Sequence, residues 1–156
     1  MGAEGQGAIE GDVALAGQKV YVSNWGGRRP GPGDLTGPAG KGTLVRVDPV
    51  RHIASEGSVS VIQIASSSEL GTRNSELLTG LHASALAVSP NGRYVIVANT
   101  GSDTLSVLDT RTDAIVETIW TRQNPADLFG AQPNALTFDP RGKTLLVANG
   151  SQNAIA

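Results

Sequence analysis

The chain has no cysteine. Disulfide staples and thiolate chemistry are therefore excluded, and neither a reducing nor an oxidising compartment is indicated. Histidine is nearly as scarce. His52 and His82 are the only two, and they stand in different contexts without the spacing of metal ligands. Aromatic residues make up 4% of the chain. No apolar run approaches the roughly 20 residues that a bilayer-spanning helix needs, so no membrane span is expected. Apolar residues do not recur with a 3.6-residue period, which excludes stacked helix pairs. The formal charge is −2, and no cluster of Lys and Arg offers the electrostatic footprint of a nucleic-acid partner. The opening "MGAEGQGAIEGD" has neither the basic nor the apolar region of a signal peptide. An export signal is therefore not expected on this chain, and residues 1–11 read as a disordered N-terminal segment.

What the chain does have is 20 Gly and 8 Pro, with 39% hydrophobic and 17% charged residues in 156. That length suffices for one ordinary core, and that apolar content excludes a wholly disordered chain. The composition is that of a turn-rich β protein.

A repeat organises it. "HASALAVSPNGRYVIVANTGSDTLS" (82–106) lies over "QPNALTFDPRGKTLLVANGSQNAIA" (132–156) without a gap. Ala85-Leu86 matches Ala135-Leu136, Pro90 and Gly92 match Pro140 and Gly142, and Val97-Ala98-Asn99 matches Val147-Ala148-Asn149. Each unit reads as short strands A to D. The "PNGR" and "PRGK" turns between A and B suit a type I turn, with Gly supplying positive φ. Strand B ("YVIVAN", "TLLVAN") is apolar at successive positions, as for a strand buried on both faces. Strand C ("TLSVLD") alternates, which predicts a half-buried strand. Strand D ("AIVETIW") is more polar and is expected nearest solvent. Four antiparallel strands repeated every 40 to 50 residues or so is the period of propeller blades.

The first unit, "DVALAGQKVYVSN", has a shortened A–B turn and an eroded strand A, so a partial blade is expected at 12–80. A Gly/Pro-rich insertion at 25–57 separates its strand B from strand C, and within it "TLVRVD" (43–48) has the pattern of an extra strand. The second blade is expected at 81–130 and a truncated third at 131–156. The fold class is thus all-β, a β-propeller fragment of about two and a half four-stranded antiparallel blades.

"VYVSNWGGRRPGPGDLTG", "SPNGRYVIVANTGSDTLSVLDT" and "FGAQPNALTFDPRGKTLLVANGSQNAIA" resemble the YVTN-repeat β-propellers. More narrowly they resemble bacterial proteins in which such a propeller precedes an alkaline-phosphatase-like phosphoesterase domain. The resemblance covers nearly all of the chain from Asp12 onward. It implies a closed ring of about seven blades, an exported parent that is periplasmic or extracellular, and metal-dependent phosphoesterase residues that all lie outside this chain.

Motifs for autonomous chemistry are weak. "GKT" (142–144) lacks the upstream Gly of a phosphate loop, where Thr137 stands, and a strand rather than a helix follows it. "GKGT" (40–43) has Gly42 between Lys41 and Thr43. Asp103, Asp109 and Asp113 stand in turn contexts, where Asp bonds its own backbone, and the calcium-loop pattern is absent. No Ser sits in a nucleophile elbow. No catalytic residue, metal or cofactor is assigned.

Topology gives a better site argument. In a propeller the B–C loops and D–A connections share one face. The candidates on that face for a small anionic or aromatic ligand are Trp25, Arg28, Arg29, His82 and Asn134. The competing readings are that Trp25 packs the insertion down and that the asparagines after strand B cap their turns. The function expected is a non-catalytic scaffold or binding module. Its alternatives are a lactonase-like hydrolase active only as a complete ring and a cell-surface structural repeat. The partners expected are the remainder of a propeller or a second copy, through open blade edges.

Overall fold

The computed structural model describes residues 11–40, 42–64, 73–124 and 126–156. The segment expected to be disordered lies outside these residues except for Gly11. The protein is all-β. Among the described residues the only helical piece is a 3-10 turn at Gly150–Gln152.

Strands β1 (Val13–Ala16) and β2 (Lys19–Asn24) form a hairpin. The insertion contributes a small hairpin of β3 (Thr36–Pro38) and β4 (Leu44–Arg46). The first sheet is then finished by β5 (Gly57–Gln63) and β6 (Arg73–Thr79), in the order β1-β2-β5-β6. The second sheet runs through β7 (Ala83–Val88), β8 (Tyr94–Asn99), β9 (Thr104–Asp109) and β10 (Ala114–Trp120). The third has β11 (Pro133–Phe138), β12 (Leu145–Asn149) and the short β13 (Ala154–Ile155). All pairings are antiparallel between sequence neighbours within a sheet. The A–B turns behave as their sequence predicts, with Gly92 and Gly142 at φ 69 and 67.

Two expectations need correction. The first blade is not partial, because its eroded strand A is present as β1 and its sheet has four strands. Strand C of the second blade is not half buried, since all six residues of β9 are buried. Its alternating polar positions point at partners rather than at water. Thr104 and Ser106 accept hydrogen bonds from Asn99 Nδ2 at 3.0 and 2.9 Å.

The reason for this burial is that the second sheet is packed on both faces. Val95, Val97 and Leu108 join Tyr21, Val59 and Val61 of the first sheet in one core. Ile96, Ala98, Leu105 and Val107 join Val147 of the third sheet in another, with Leu136, Phe138 and Leu145 packed against it. The two-residue period of a strand thus feeds alternate side chains of β8 to opposite neighbours. Burying each such side chain stabilises by roughly 1.5–3 kcal/mol.

Polar contacts fix the angles between sheets. On the face of the A–B turns, Lys19 Nζ bonds Asp113 Oδ2 at 2.7 Å and Tyr21 donates to Asp113 Oδ1 at 3.2 Å. On the other face, the B–C turns of the second and third sheets latch onto the connection that leads into their own sheet. The Thr100 and Gly101 N–H groups donate to the carbonyls of His82 and Leu81 at 3.1 and 3.0 Å. One repeat later, Gly150 and Ser151 donate to Gln132 and Ala131 at 3.1 and 3.4 Å. His82 and Gln132 both turn through left-handed backbone, at φ 58 and 51. A Cβ on Gly101 would collide with the His82 imidazole, and one on Gly150 with the Asn134 amide.

Asp103 ties the second sheet to the third. Its carboxylate is buried and accepts Gly130 N–H at 2.7 Å and Gln132 N–H at 2.9 Å. Removing it strands two N–H donors, each of which had a charged acceptor. We expect Asp103→Ala to cost roughly 1.5–3 kcal/mol, while the exposed Asp127→Ala costs about 0.5 kcal/mol or less. Urea denaturation of both variants checks this, and equal midpoints would remove Asp103 as the tie between sheets.

Candidate functional site

The insertion after β2 is Gly/Pro-rich, yet it is held by charge. Arg46, on β4, places Nε 3.0 Å from Asp34 Oδ1 and Nη1 2.7 Å from Glu56 Oε2. Glu56 uses its other oxygen for Arg28, at 3.0 Å from Nε and 3.3 Å from the backbone N. Gly27, at φ 73, lets the Glu56 side chain pass, because a Cβ there would overlap it. Asp34 also accepts the Gly31 N–H at 2.8 Å, and that bond, with Arg46 beside it, holds its carboxyl below the usual carboxylate range. Two carboxylates thus balance two guanidiniums across the hairpin.

Between this hairpin and the end of β2 lies a groove of about 630 Å³. Its walls include Val22, Trp25, Pro30, Leu44 and Val45, and both Arg28 and Arg29 lie along it. Three of the five candidates from the sequence therefore line one groove. They differ in charge state. Arg28 is neutralised by Glu56, whereas exposed Arg29 has no ion-pair partner among the described residues.

His82 lies beneath this site rather than in it. Its ring stacks on the Trp25 indole with centroids 4.0 Å apart and planes 4° apart. The stack fastens the insertion to the latch at Gly101, so Trp25 does pack the insertion down while also lining the groove. It also sets the insertion on the face of the B–C turns, as its attachment point predicts. Asn134 stands apart. It is exposed on the third sheet against Gly150 and is absent from the groove lining.

The asparagines that end strand B do not cap their turns. Asn24 Nδ2 bridges to Ser58 and Ser60 at 3.1 and 3.0 Å, and Asn99 makes the matching pair of bonds to β9. Asn24 and Asn99 thus couple strand B to strand C, whereas Asn149 Nδ2 donates to the Thr121 carbonyl at 2.9 Å. The groups that shape the groove without being evident in the sequence are Glu56 and Arg46. Only the fold brings Glu56, which immediately precedes β5, back beside Arg28. Among the described residues no three of His, Asp and Glu converge as a metal site would require.

A family model described as lactonase, seven-bladed β-propeller, matches residues 45–156. The chain belongs to that family. Its lactonase-type propeller repeat accounts for the second and third sheets and the later half of the first. β1, β2 and the groove residues Trp25, Arg28 and Arg29 precede the matched segment. A search of the curated proteins finds no match.

Burial pushes the His82 imidazole below its ordinary 6.5. A histidine held neutral in the native chain takes up its proton more readily when unfolded. Its contribution is therefore full above about pH 6.5 and is lost as pH falls below that value. Asp109 and Asp139 are lowered from 3.8, chiefly by the N–H groups of Arg111 and Thr144, so their losses begin only in stronger acid. We expect the urea midpoint to fall between pH 7 and pH 5. His82→Phe, which keeps a ring for Trp25, should flatten that fall. An unchanged slope in the variant would show that His82 is not the group responsible.

Proposed function

We propose that this propeller arc is a binding module, and that the groove beside the insertion takes a small organic anion without covalent chemistry. The observation that carries the reading is the juxtaposition of an unpaired guanidinium, Arg29, with the Trp25 ring and an apolar wall. A guanidinium offers planar paired donors to a carboxylate or phosphate, and the indole and Leu44 accept an apolar body. Trp25, Arg28 and Arg29 precede the family match, so the ligand contacts they offer come from this chain's insertion. Calorimetric titration with phenyl phosphate and benzoate, against neutral benzamide, tests the reading. We expect saturable binding of the anions and at least a tenfold loss in Arg29→Gln, partly restored in Arg29→Lys. Equal affinity for benzamide, or an unaffected Arg29→Gln, would sink it.

The family description favours a second reading, lactone hydrolysis by the complete ring. Proton release from a simple lactone above its spontaneous rate, with the ring closed, would support it. A finer placement rests on the "VYVSNWGG" and "SPNGRYVIVANTGSDTLSVLDT" phrases. They are our reason for assigning the chain to the YVTN-repeat branch, as part of an exported bacterial protein that carries a phosphoesterase domain. The gene beyond the Ala156 codon tests this. A phosphoesterase reading frame supports the assignment, and a stop after the remaining blades counts against it.

A further inference from the structure

The repeat has a second elaborated loop. Residues 80–82 suffice to connect β6 to β7, whereas residues 121–132 make the equivalent connection from β10 to β11. In repeat architectures such per-repeat lengthening collects on one face, often the binding face. The base of this loop is rigid. Thr121 N–H and Oγ1 donate to the Asp103 carbonyl at 3.0 Å each, its own carbonyl accepts Asn149 Nδ2 at 2.9 Å, and Asp103 holds Gly130 and Gln132. Thr121, Asp103, Ala131 and Asn149 are all buried.

The tip is the opposite. Trp120 is 54% exposed, Leu128 88% and Phe129 69%. The two aromatic rings meet at a tilt with centroids 6.3 Å apart, and the Arg122 guanidinium sits over both, 4.5 Å from the Trp120 centroid and 4.6 Å from that of Phe129. Its Nη1 donates to the Asp127 carbonyl, its Nε is buried without a partner, and no carboxylate pairs with it among the described residues. This is a preoriented cation set in exposed apolar surface and carried on a fixed base. Trp and Arg are the residue types that dominate binding hot spots, and prior rigidity lowers the cost of association.

We propose that this loop is a docking site for an acidic-apolar peptide segment of a partner protein. A carboxylate of the segment would pair with Arg122, and a neighbouring apolar side chain would cover Leu128 and Phe129. Charge complementarity selects this occupant, since no carboxylate pairs with the stacked cation among the described residues and the nearby Asp127 carboxylate is engaged by the Asn124 N–H. The site is separate from the groove at Arg29, and its fate does not depend on what that groove binds.

A displayed library of random peptides, selected on the full chain and counter-selected on Arg122→Gln, tests the proposal. We expect enrichment of peptides that carry Asp or Glu beside Leu, Phe or Trp. The enriched peptide, titrated as a synthetic copy, should bind at least tenfold more weakly to Arg122→Gln and to Leu128→Ser. The second variant changes a fully wet side chain and so leaves folding intact. Replacing the peptide's carboxylates by amides should weaken binding to a similar extent, and salt should weaken it too. Three results would overturn the proposal: no enrichment over Arg122→Gln, amide peptides that bind equally well, or a concentration-dependent dimer of the full chain that Leu128→Ser abolishes and Arg122→Gln leaves intact.

Discussion

Two backbone hydrogen bonds in each of the second and third repeats, from the B–C turn to the connection entering the same sheet, are the constraint on which the remaining structure hangs. They join Thr100 and Gly101 to His82 and Leu81, and Gly150 and Ser151 to Gln132 and Ala131. Satisfying these turn amides internally goes with the left-handed residues His82 and Gln132 just before β7 and β11 and with the close approach of Gly101 and Gly150 to the His82 and Asn134 side chains. The same geometry bulges the inner strand, between Ala83 and Leu86 and again between Pro133 and Ala135. Once that corner is set, His82 is presented to Trp25, and the connection at 121–132 must leave from a fixed point.

The corner also explains how apolar surface is shared. With the sheets held face to face, the second sheet gives alternate residues of β8 and β9 to its two neighbours, and its inner strands are dry. The outward faces of the first and third sheets are different. Val13 and Leu15 are 63% and 60% exposed, and Ile155 73%. In a seven-bladed ring these are surfaces that adjoining blades cover, and closure removes them from water. The arc is thus stabilised from within by one fully sandwiched sheet and carries the wetter surfaces at its flanks.

Much of this was legible in the sequence because the repeat is gapless. Strands B, C and D of the second blade, both A–B turns and the absence of long helices follow from its two-residue periods and its Gly and Pro positions. β6 was not legible, because "RNSELLT" has no alternation and only Thr79 as a β-branched residue, and it is held by pairing with β5. The burial of β9 was misread because hydroxyls look solvent-facing until Asn99 is seen to donate to them. Of the site, the grouping of Trp25 with Arg28 and Arg29 follows from their adjacency after strand B. The neutralisation of Arg28 by Glu56 does not, since it depends on the hairpin returning the chain. Asn134 shares the face but not the groove, because each sheet carries its own corner.

Two loops are lengthened, and their charges differ in meaning. A guanidinium left in water costs little, so an unpaired arginine on a surface says little alone. At Arg29 the neighbouring indole is half-buried and already stacked on His82, so the apolar surface open to a ligand is smaller and is supplied largely by Leu44. At Arg122 the apolar groups themselves are wet, and each large side chain left in water forfeits roughly 1.5–3 kcal/mol. A loop whose base is closed by buried bonds from Asp103 and Asn149 does not expose Leu128 and Phe129 through looseness. That forfeited stabilisation is what the proposed peptide segment would recover on docking, and it makes the 121–132 loop the stronger of the two proposed binding surfaces.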